Sequence, residues 1–289
     1  IISESSNYKK FSSFLSVKKA RIDSKEVKKD DMFFAIKGKK NDGNKYVAQS
    51  FKKKASLAIV NRIQKKVNKK RQIKVQNTLK FLTNISKIFR ANIYTKIIAI
   101  TGSCGKTTLK ELIGNSLKKI SKVTISPKSF NNKYGVPLSL FNLNQNDDYG
   151  ILEVGMDKKG EIDYLSKIIK PDVSVITNIN YAHAKNFRNI KQIALAKAEI
   201  IGNTKSNGFI ILNADDYFFK LHKRIAYKNN LKVISFGIQN QSSDYKLSNI
   251  VKFGSVFKIN IKVKKMNKYF LVSNKFKNHI YNILASLAV

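Results

Sequence analysis

From Lys96 onward, short apolar runs at 96–101, 122–126, 149–155, 173–179, 208–213 and 232–236 alternate with stretches of helical pattern. Strand and helix in alternation predict a mostly parallel, doubly wound sheet with ligands at the carboxyl ends of its strands. Between 245 and 273 the helical pattern stops. There VFKINIKV and KYFLVS flank Met266-Asn267 and read as antiparallel strands, and a helix starts at His279. Upstream, residues 20–60 read as a smaller α/β unit. Met32-Phe33-Phe34-Ala35-Ile36 is a strand, Lys37-Gly38 and Asn41-Asp42-Gly43-Asn44 supply turn chemistry, a helix runs around Tyr46 to Lys54, and Leu57 to Val60 is a strand. After a basic, polar stretch at 61–72, Thr78 is placed to cap a helix whose Leu79, Leu82, Ile85, Ile88 and Phe89 share one face. The boundary is expected near residue 80, giving domains 1–80 and 81–289, with no internal repeat and no low-complexity linker.

Composition supports a folded chain: 289 residues, 43% hydrophobic and 26% charged, leave room for two cores. Charge changes the picture more. Lys+Arg 56 against Asp+Glu 18 gives +38, an excess that raises nucleic acid, anionic membranes and anionic small molecules as partners. The lysines are spread through every segment, with one local crowd at Lys65, Lys66, Lys69, Lys70 and Arg71, and they accompany many Asn and Ile, the bias of an AT-rich coding sequence. With no aromatic RNA-binding signature, zinc-finger spacing or recognition-helix pattern, no nucleic-acid partner is expected. The single cysteine, Cys104, excludes an intrachain disulfide and fits a reducing, cytoplasmic setting. No run reaches the length of a membrane span, so no membrane insertion is expected. A start without Met suggests a chain that begins inside a longer reading frame.

The candidate chemistry gathers at predicted strand ends. Ile98-Ala99-Ile100 runs into Thr101-Gly102-Ser103-Cys104-Gly105-Lys106-Thr107-Thr108, a strand, a glycine loop and a helix start. Glycines let backbone wrap a phosphate, the helix N-terminus offers unpaired N–H groups, Lys106 adds charge and the Thr107 hydroxyl can reach Mg²⁺, which points to a nucleoside triphosphate. The strict phosphate-loop pattern needs glycine where Ile100 stands, so this is a variant; Cys104 reads as a variable loop residue rather than a catalytic thiol. A second strand in such a sheet ends in a metal-sharing carboxylate, and Glu153 in Ile151-Leu152-Glu153-Val154-Gly155 fits that need. His183 follows the next strand, as either a metal or phosphate contact or a structural histidine. Lys197, in Ala196-Lys197-Ala198-Glu199, reads alone as a solvated lysine on an amphipathic helix. In Asn213-Ala214-Asp215-Asp216 the amide and carboxylates suit a base or ribose, although Asp215 would equally cap a helix.

Taken in order, these motifs resemble the Mur ligases, and within them the members that add D-alanyl-D-alanine to UDP-N-acetylmuramoyl-tripeptide. Thr101 to Thr108 matches the family's phosphate loop, and Ser129-Phe130-Asn131-Asn132-Lys133-Tyr134-Gly135-Val136-Pro137 is similar to the segment that sets those members apart. Gly160-Glu161-Ile162, Thr177-Asn178-Ile179 through His183, Ala196 to Ile200 and Asn213 to Asp216 follow in the family's sequence. The resemblance implies a UDP-binding N-terminal α/β domain, a central ATP-binding domain with an antiparallel β extension, and a third domain that these 289 residues lack. It further implies ATP and Mg²⁺ as cofactors. Thr107 and Glu153 would hold one Mg²⁺, His183 and a carbamylated Lys197 would serve a second, and Lys106, His183 and Lys197 would form the catalytic set. ATP would meet Thr101 through Thr108 with Asn213 and Asp215. Substrate would meet Ser24, Lys25, Asp42, Gly43, Asn44, Asn131 and Asn132. Two positions depart from the family, which usually has Arg at Lys25 and His at Asn44; lysine keeps the charge but loses the bidentate fork. The implied activity is ATP-dependent amide formation through an acyl phosphate by a monomeric cytoplasmic enzyme of peptidoglycan precursor synthesis, with UDP-N-acetylmuramoyl-tripeptide and D-alanyl-D-alanine as partners. A sister carboxylate–amine ligase, a nucleic-acid-stimulated ATPase and a fragment that only binds nucleotide are the competing expectations.

Overall fold

The computed structural model describes residues 17–38, 41–181, 186–263, 266–274 and 279–289. The chain divides into two compact units: the first runs to Ile93 and includes Pro137–Leu143, and the second comprises Tyr94–Val136 and Asn144–Val289. This division lies later than the one expected near residue 80, because the helix at 78–91 belongs with the first unit.

In the first unit, β1 (Ala20–Arg21), β2 (Met32–Phe34), β3 (Leu57–Val60) and β4 (Gln72–Lys74) form a parallel sheet in that order. The strand at Met32 stops at Phe34 rather than Ile36, since the Ile36 N–H turns back to the Phe34 carbonyl (2.9 Å) and the Gly43 N–H bonds to the Ile36 carbonyl (3.0 Å). A 3₁₀ turn at Gly43–Tyr46 leads into α1 (Val47–Lys52). Phe33, Ala35, Val47, Ala58 and Val60 form its core with Val27 and Ala55. The second helix, α2 (Thr78–Ala91), is capped by Asn77, whose side chain accepts from the Lys80 N–H (2.9 Å), and not by Thr78. The Thr78 hydroxyl donates instead to the Ala35 carbonyl at 3.3 Å.

The second unit carries the strands predicted downstream. They are β5 (Lys96–Thr101), β6 (Val123–Ile125), β7 (Tyr149–Glu153), β8 (Val173–Ile176), β9 (Phe209–Asn213), β10 (Lys232–Gly237), β11 (Tyr245–Phe253), β12 (Val256–Val263) and β13 (Met266–Ser273). Between and after them lie α3 (Lys106–Leu117), α5 (Glu161–Ile169), α6 (Ile190–Gly202), α7 (Phe219–Lys228) and α8 (Ile280–Ala288), while α4 (Gly135–Phe141) starts in this unit and from Pro137 belongs to the first. The sheet order is β13-β12-β11-β10-β9-β8-β5-β7-β6. Pairing is parallel from β6 to β11 and antiparallel across β11, β12 and β13. Runs such as Ile97-Ile98-Ala99-Ile100 are buried throughout, as parallel strands covered on both faces require. Ile98, Ile100, Ile151, Val175 and Ile211 pack with Leu109 and Ile113 of α3 and Leu284 and Ala285 of α8. Ile259 and Ile261 of β12 join the same core, which fixes the antiparallel extension to the parallel sheet. Among the described residues no helix is long and apolar enough to cross a membrane.

Candidate functional site

The order of the strands explains how distant motifs meet. β5 lies between β7 and β8, and β9 lies beyond β8, so the residues at the four carboxyl ends share one edge of the sheet. At the end of β5 the chain passes through Gly102 (φ 146°) and Gly105 (φ 81°) before α3 begins at Lys106. Neither glycine tolerates a side chain: a Cβ on Gly102 would run into the Thr177 hydroxyl, and one on Gly105 would lie 2.8 Å from Asn282 Oδ1. Residues beyond β8 pin the loop. The Ser103 N–H bonds to the Asn178 carbonyl (2.9 Å), the Cys104 N–H to Asn178 Oδ1 (3.0 Å), and the Thr177 hydroxyl to the Cys104 carbonyl (2.6 Å). Ser103 Oγ donates to the Asn180 carbonyl at 3.0 Å. Thr101 is buried at the strand end, its hydroxyl unpartnered among the described residues. Cys104 is exposed and Thr108 continues the first turn of α3.

On the other flank, Glu153 ends β7 at 1% exposure. Its Oε2 accepts from the Thr107 hydroxyl (2.8 Å) and its Oε1 from Asn131 Nδ2 (2.7 Å). The Gly155 N–H bonds in turn to the Asn131 carbonyl at 2.8 Å. Asn132 does something different: its Oδ1 accepts from the N–H groups of Tyr134 and Gly135 at the start of α4 (3.0 Å each). The neighbouring amides thus divide, one at the carboxylate and one at a helix start.

Two lysines give the site its electrostatics. Lys106 Nζ donates to the carbonyls of Gly102 (2.8 Å) and Ser103 (3.3 Å). Burial lowers its pKa, and the Glu153 charge opposes that shift. Lys197 on α6 is 2% exposed, makes no hydrogen bond or ion pair with a described residue, and is not the solvated surface lysine its helix pattern suggests. Burial, reinforced by the Lys106 charge, pulls its pKa down to about 7.

Asn213 ends β9 with Nδ2 3.4 Å from the Thr177 carbonyl, and its Oδ1 accepts from the Asp215 N–H (3.0 Å). Asp215 is a hub rather than a helix cap. Its carboxylate accepts from the N–H groups of Ile238 (2.5 Å), Gln239 (3.1 Å) and Asn240 (2.7 Å) and from the Tyr281 hydroxyl (3.1 Å). Burial alone would raise the Asp215 pKa, but these donors outweigh it and hold it low. Burial, with the Asp215 charge, pushes Tyr281 up to about 12. Asp216 receives the Ile179 N–H (2.7 Å) and the Phe218 N–H (2.8 Å). His183 lies outside the described residues.

Sequence reading passed over several groups. Asn178 braces the loop, Asn282 abuts Gly105, and Glu199 accepts from the N–H groups of Gly160 (2.8 Å) and Asp163 (3.0 Å) at the start of α5. Lys110, wholly buried on α3, donates to the carbonyls of Ser126 (2.8 Å) and Lys128. Asn178 and Glu199 lie inside recognised motifs, and Lys110 stands two residues past the phosphate loop.

In the first unit, Asp42 Oδ1 accepts from the Asn44 N–H (3.0 Å) and Asn44 Nδ2 (2.6 Å), and its Oδ2 pairs with Arg62 (2.9 Å). The Asn44 side-chain bond is the main reason that the Asp42 pKa is lowered. Asn44 Oδ1 is buried without a partner among the described residues. Gly43 packs where a Cβ would lie 2.6 Å from the Ile36 nitrogen. The Ser24 hydroxyl donates to Gln49 Oε1 (2.7 Å), and the exposed Lys25 anchors its N–H on Asp23 (2.8 Å).

Among the described residues no three His, Cys, Asp or Glu side chains converge as a metal cage. The oxygens of Thr107 and Glu153, beside a loop shaped for phosphate, form the sparse, hard donor set that suits Mg²⁺, which keeps waters and phosphate oxygens among its ligands.

Known proteins share the sequence pattern and the fold. The profile of the Mur ligase middle domain matches residues 100–289. The UDP-N-acetylmuramoyl-tripeptide–D-alanyl-D-alanine ligase of Buchnera aphidicola (Acyrthosiphon pisum) is 35% identical over 231 residues, 79% of this chain and 50% of that protein. The enzyme of the same name from Bacillus subtilis is 30% identical over 267 residues, 92% of this chain and 56% of that one. The crystal structure of MurF ligase from Thermotoga maritima in complex with ADP superposes with a TM-score of 0.79 at 29% identity, covering 94% of this chain and 62% of that one. The chain spans about half the length of the curated relatives it matches.

Proposed function

The chain belongs to the Mur ligase family, and on that premise we propose that its protein joins D-alanyl-D-alanine to UDP-N-acetylmuramoyl-tripeptide at the expense of ATP. The observation that carries the reading is the pairing of a glycine phosphate loop bearing Lys106 with a buried Glu153, held by Thr107 at 2.8 Å and Asn131 at 2.7 Å.

In this reading the loop amides and α3 N-terminus receive the phosphates of ATP, and Lys106 exchanges its carbonyl partners for phosphate oxygens. An oxygen of the tripeptide carboxylate attacks the γ-phosphorus and ADP leaves, giving an acyl phosphate. The amine of D-alanyl-D-alanine then attacks the acyl carbon, loses a proton and expels phosphate as the amide forms. The chain's part is placement and charge compensation, and no side-chain nucleophile is needed. Thr107 and Glu153 would hold Mg²⁺, which supplies charge neutralisation on the transferring group. Asn213 and Asp215 would frame the nucleoside, Asp215 by ordering the 238–240 turn rather than by offering a free carboxylate. In the first unit, Ser24, Lys25, Asp42, Gly43 and Asn44 would meet the UDP portion.

Lys197 suits carbamylation. With its pKa near 7 a substantial share of the amine is unprotonated at neutral pH, so its lone pair can attack CO₂, form an N–C bond and release a proton. The anionic oxygens produced would serve a second Mg²⁺ with His183. The protein is taken as a cytoplasmic enzyme, since ATP and a UDP-linked precursor are both water-soluble substrates.

The experiment is phosphate release from ATP by the full-length protein. Release that requires both tripeptide substrate and D-alanyl-D-alanine, and that Lys106→Ala abolishes without loss of fold, supports the ligase. Release indifferent to both substrates sinks it.

A further inference from the structure

The reading above gives no task to Lys110, a wholly buried cation. Lys110 sits at 0% exposure on α3, one turn beyond Lys106 and three residues beyond Thr107. Its ammonium is 3.6 Å from Glu111 Oε1, a half-exposed group, and its hydrogen bonds go to the backbone carbonyls of Ser126 (2.8 Å) and Lys128. A desolvated ammonium spent on carbonyls is costly, and long apolar side chains would fill the same space on α3 at less cost. Its hydrogen bonds fall at a specific place. Ser126 begins the segment after β6, its N–H on the Ile151 carbonyl (2.9 Å), and Lys128 takes a left-handed turn (φ 47°). Two further turns, Phe130 N–H to Pro127 carbonyl (3.2 Å) and Asn131 N–H to Ser129 carbonyl (2.8 Å), bring the chain to Asn131 and its 2.7 Å bond with Glu153.

We infer that Lys110 is a positioning residue for the candidate cation site: it ties the 126–131 strap to α3, so that Asn131 and Thr107 grip the two oxygens of Glu153 from one rigid support. Thr107 reaches Oε2 directly from α3, whereas Asn131 reaches Oε1 from the strap. Without Lys110 the strap has no tie to the helix that carries Thr107 through its Ser126 and Lys128 carbonyls, and the carboxylate can rotate away from the direction a cation needs. Groups that orient a ligand in this way commonly matter about 10–100-fold for metal affinity.

The inference rests on the reading of Thr107 and Glu153 as cation ligands, and the test separates the two. Mn²⁺ is titrated into the full-length protein with ADP and followed by electron paramagnetic resonance, which reads metal affinity without turnover. Wild type, Lys110→Met, Asn131→Ala and the double variant are compared, with ADP affinity measured free of metal. The expected result is a loss of Mn²⁺ affinity of about tenfold or more in Lys110→Met with metal-free ADP affinity unchanged. The double variant should be no weaker than the worse single one, since both act through the same carboxylate. Additive losses, or wild-type affinity in Lys110→Met, would overturn the inference and leave the ligand reading standing. No ADP-dependent Mn²⁺ binding in wild type would remove both. If Lys110→Met does not fold, Lys110→Arg, which keeps charge and donors but changes their reach, is read in the same cycle.

Discussion

At Lys197, environment overrides identity. The sequence Ala-Lys-Ala-Glu on an amphipathic helix suggests a wet surface lysine, yet the side chain is buried beside another lysine and its pKa falls from 10.5 to about 7. A lowered pKa means that the unfolded chain binds the extra proton between those values. Stability therefore rises with pH across that window, is fully present above about 10.5 and is lost as pH falls toward about 7. Denaturant unfolding in CO₂-free buffer between about pH 7.5 and 9.5 should show Lys197→Met with a flatter dependence than wild type, by at most about 1.4 kcal/mol per pH unit. Parallel curves would place Lys197 in water. Strand-end residues such as Glu153 were legible because a carboxylate at the close of an apolar run has few structural uses. Lys110 and Asn178 were not, because nothing in local sequence distinguishes a polar side chain aimed at backbone from one aimed at solvent.

Elements divide in the same way. β5 and β9 appear within a residue of their apolar runs because parallel strands covered on both faces are continuously hydrophobic. β1 and β4 are two and three residues long and leave no such run. Helix starts depend on which neighbouring polar side chain reaches back, so Asn77, and not Thr78, caps α2. The start of α5 is more distant still: Gly160 takes φ 86° and offers no side chain, so Glu199 on α6 accepts its N–H and that of Asp163. A carboxylate at a helix N-terminus satisfies orphan donors and meets the positive end of the dipole. Glu199→Ala should cost about 1–2 kcal/mol of stability in urea unfolding, with Glu199→Gln intermediate. Equal stability of all three proteins would show that α5 needs no cap from α6.

For the whole molecule, the parallel sheet and the meeting of motifs at one edge followed from alternating pattern and strand order. The division after Ile93 did not, because α2 is amphipathic whichever unit it covers. A net charge of +38 sets the solution behaviour. Self-repulsion opposes folding and is screened as the Debye length falls from about 30 Å at 0.01 M to about 8 Å at 0.15 M salt, so the unfolding temperature should rise across that range. A flat or falling melting temperature would mean that the lysines are already compensated. The central claim is that ATP activates a carboxylate on the substrate, and oxygen transfer tests it most directly. In acyl-phosphate formation one carboxylate oxygen becomes bonded to phosphorus and departs with it when the amine attacks. Full-length protein given UDP-N-acetylmuramoyl-tripeptide labelled with ¹⁸O in the acceptor carboxylate, ATP and D-alanyl-D-alanine should release phosphate carrying one ¹⁸O per amide formed. Unlabelled phosphate alongside a newly formed amide would contradict the account.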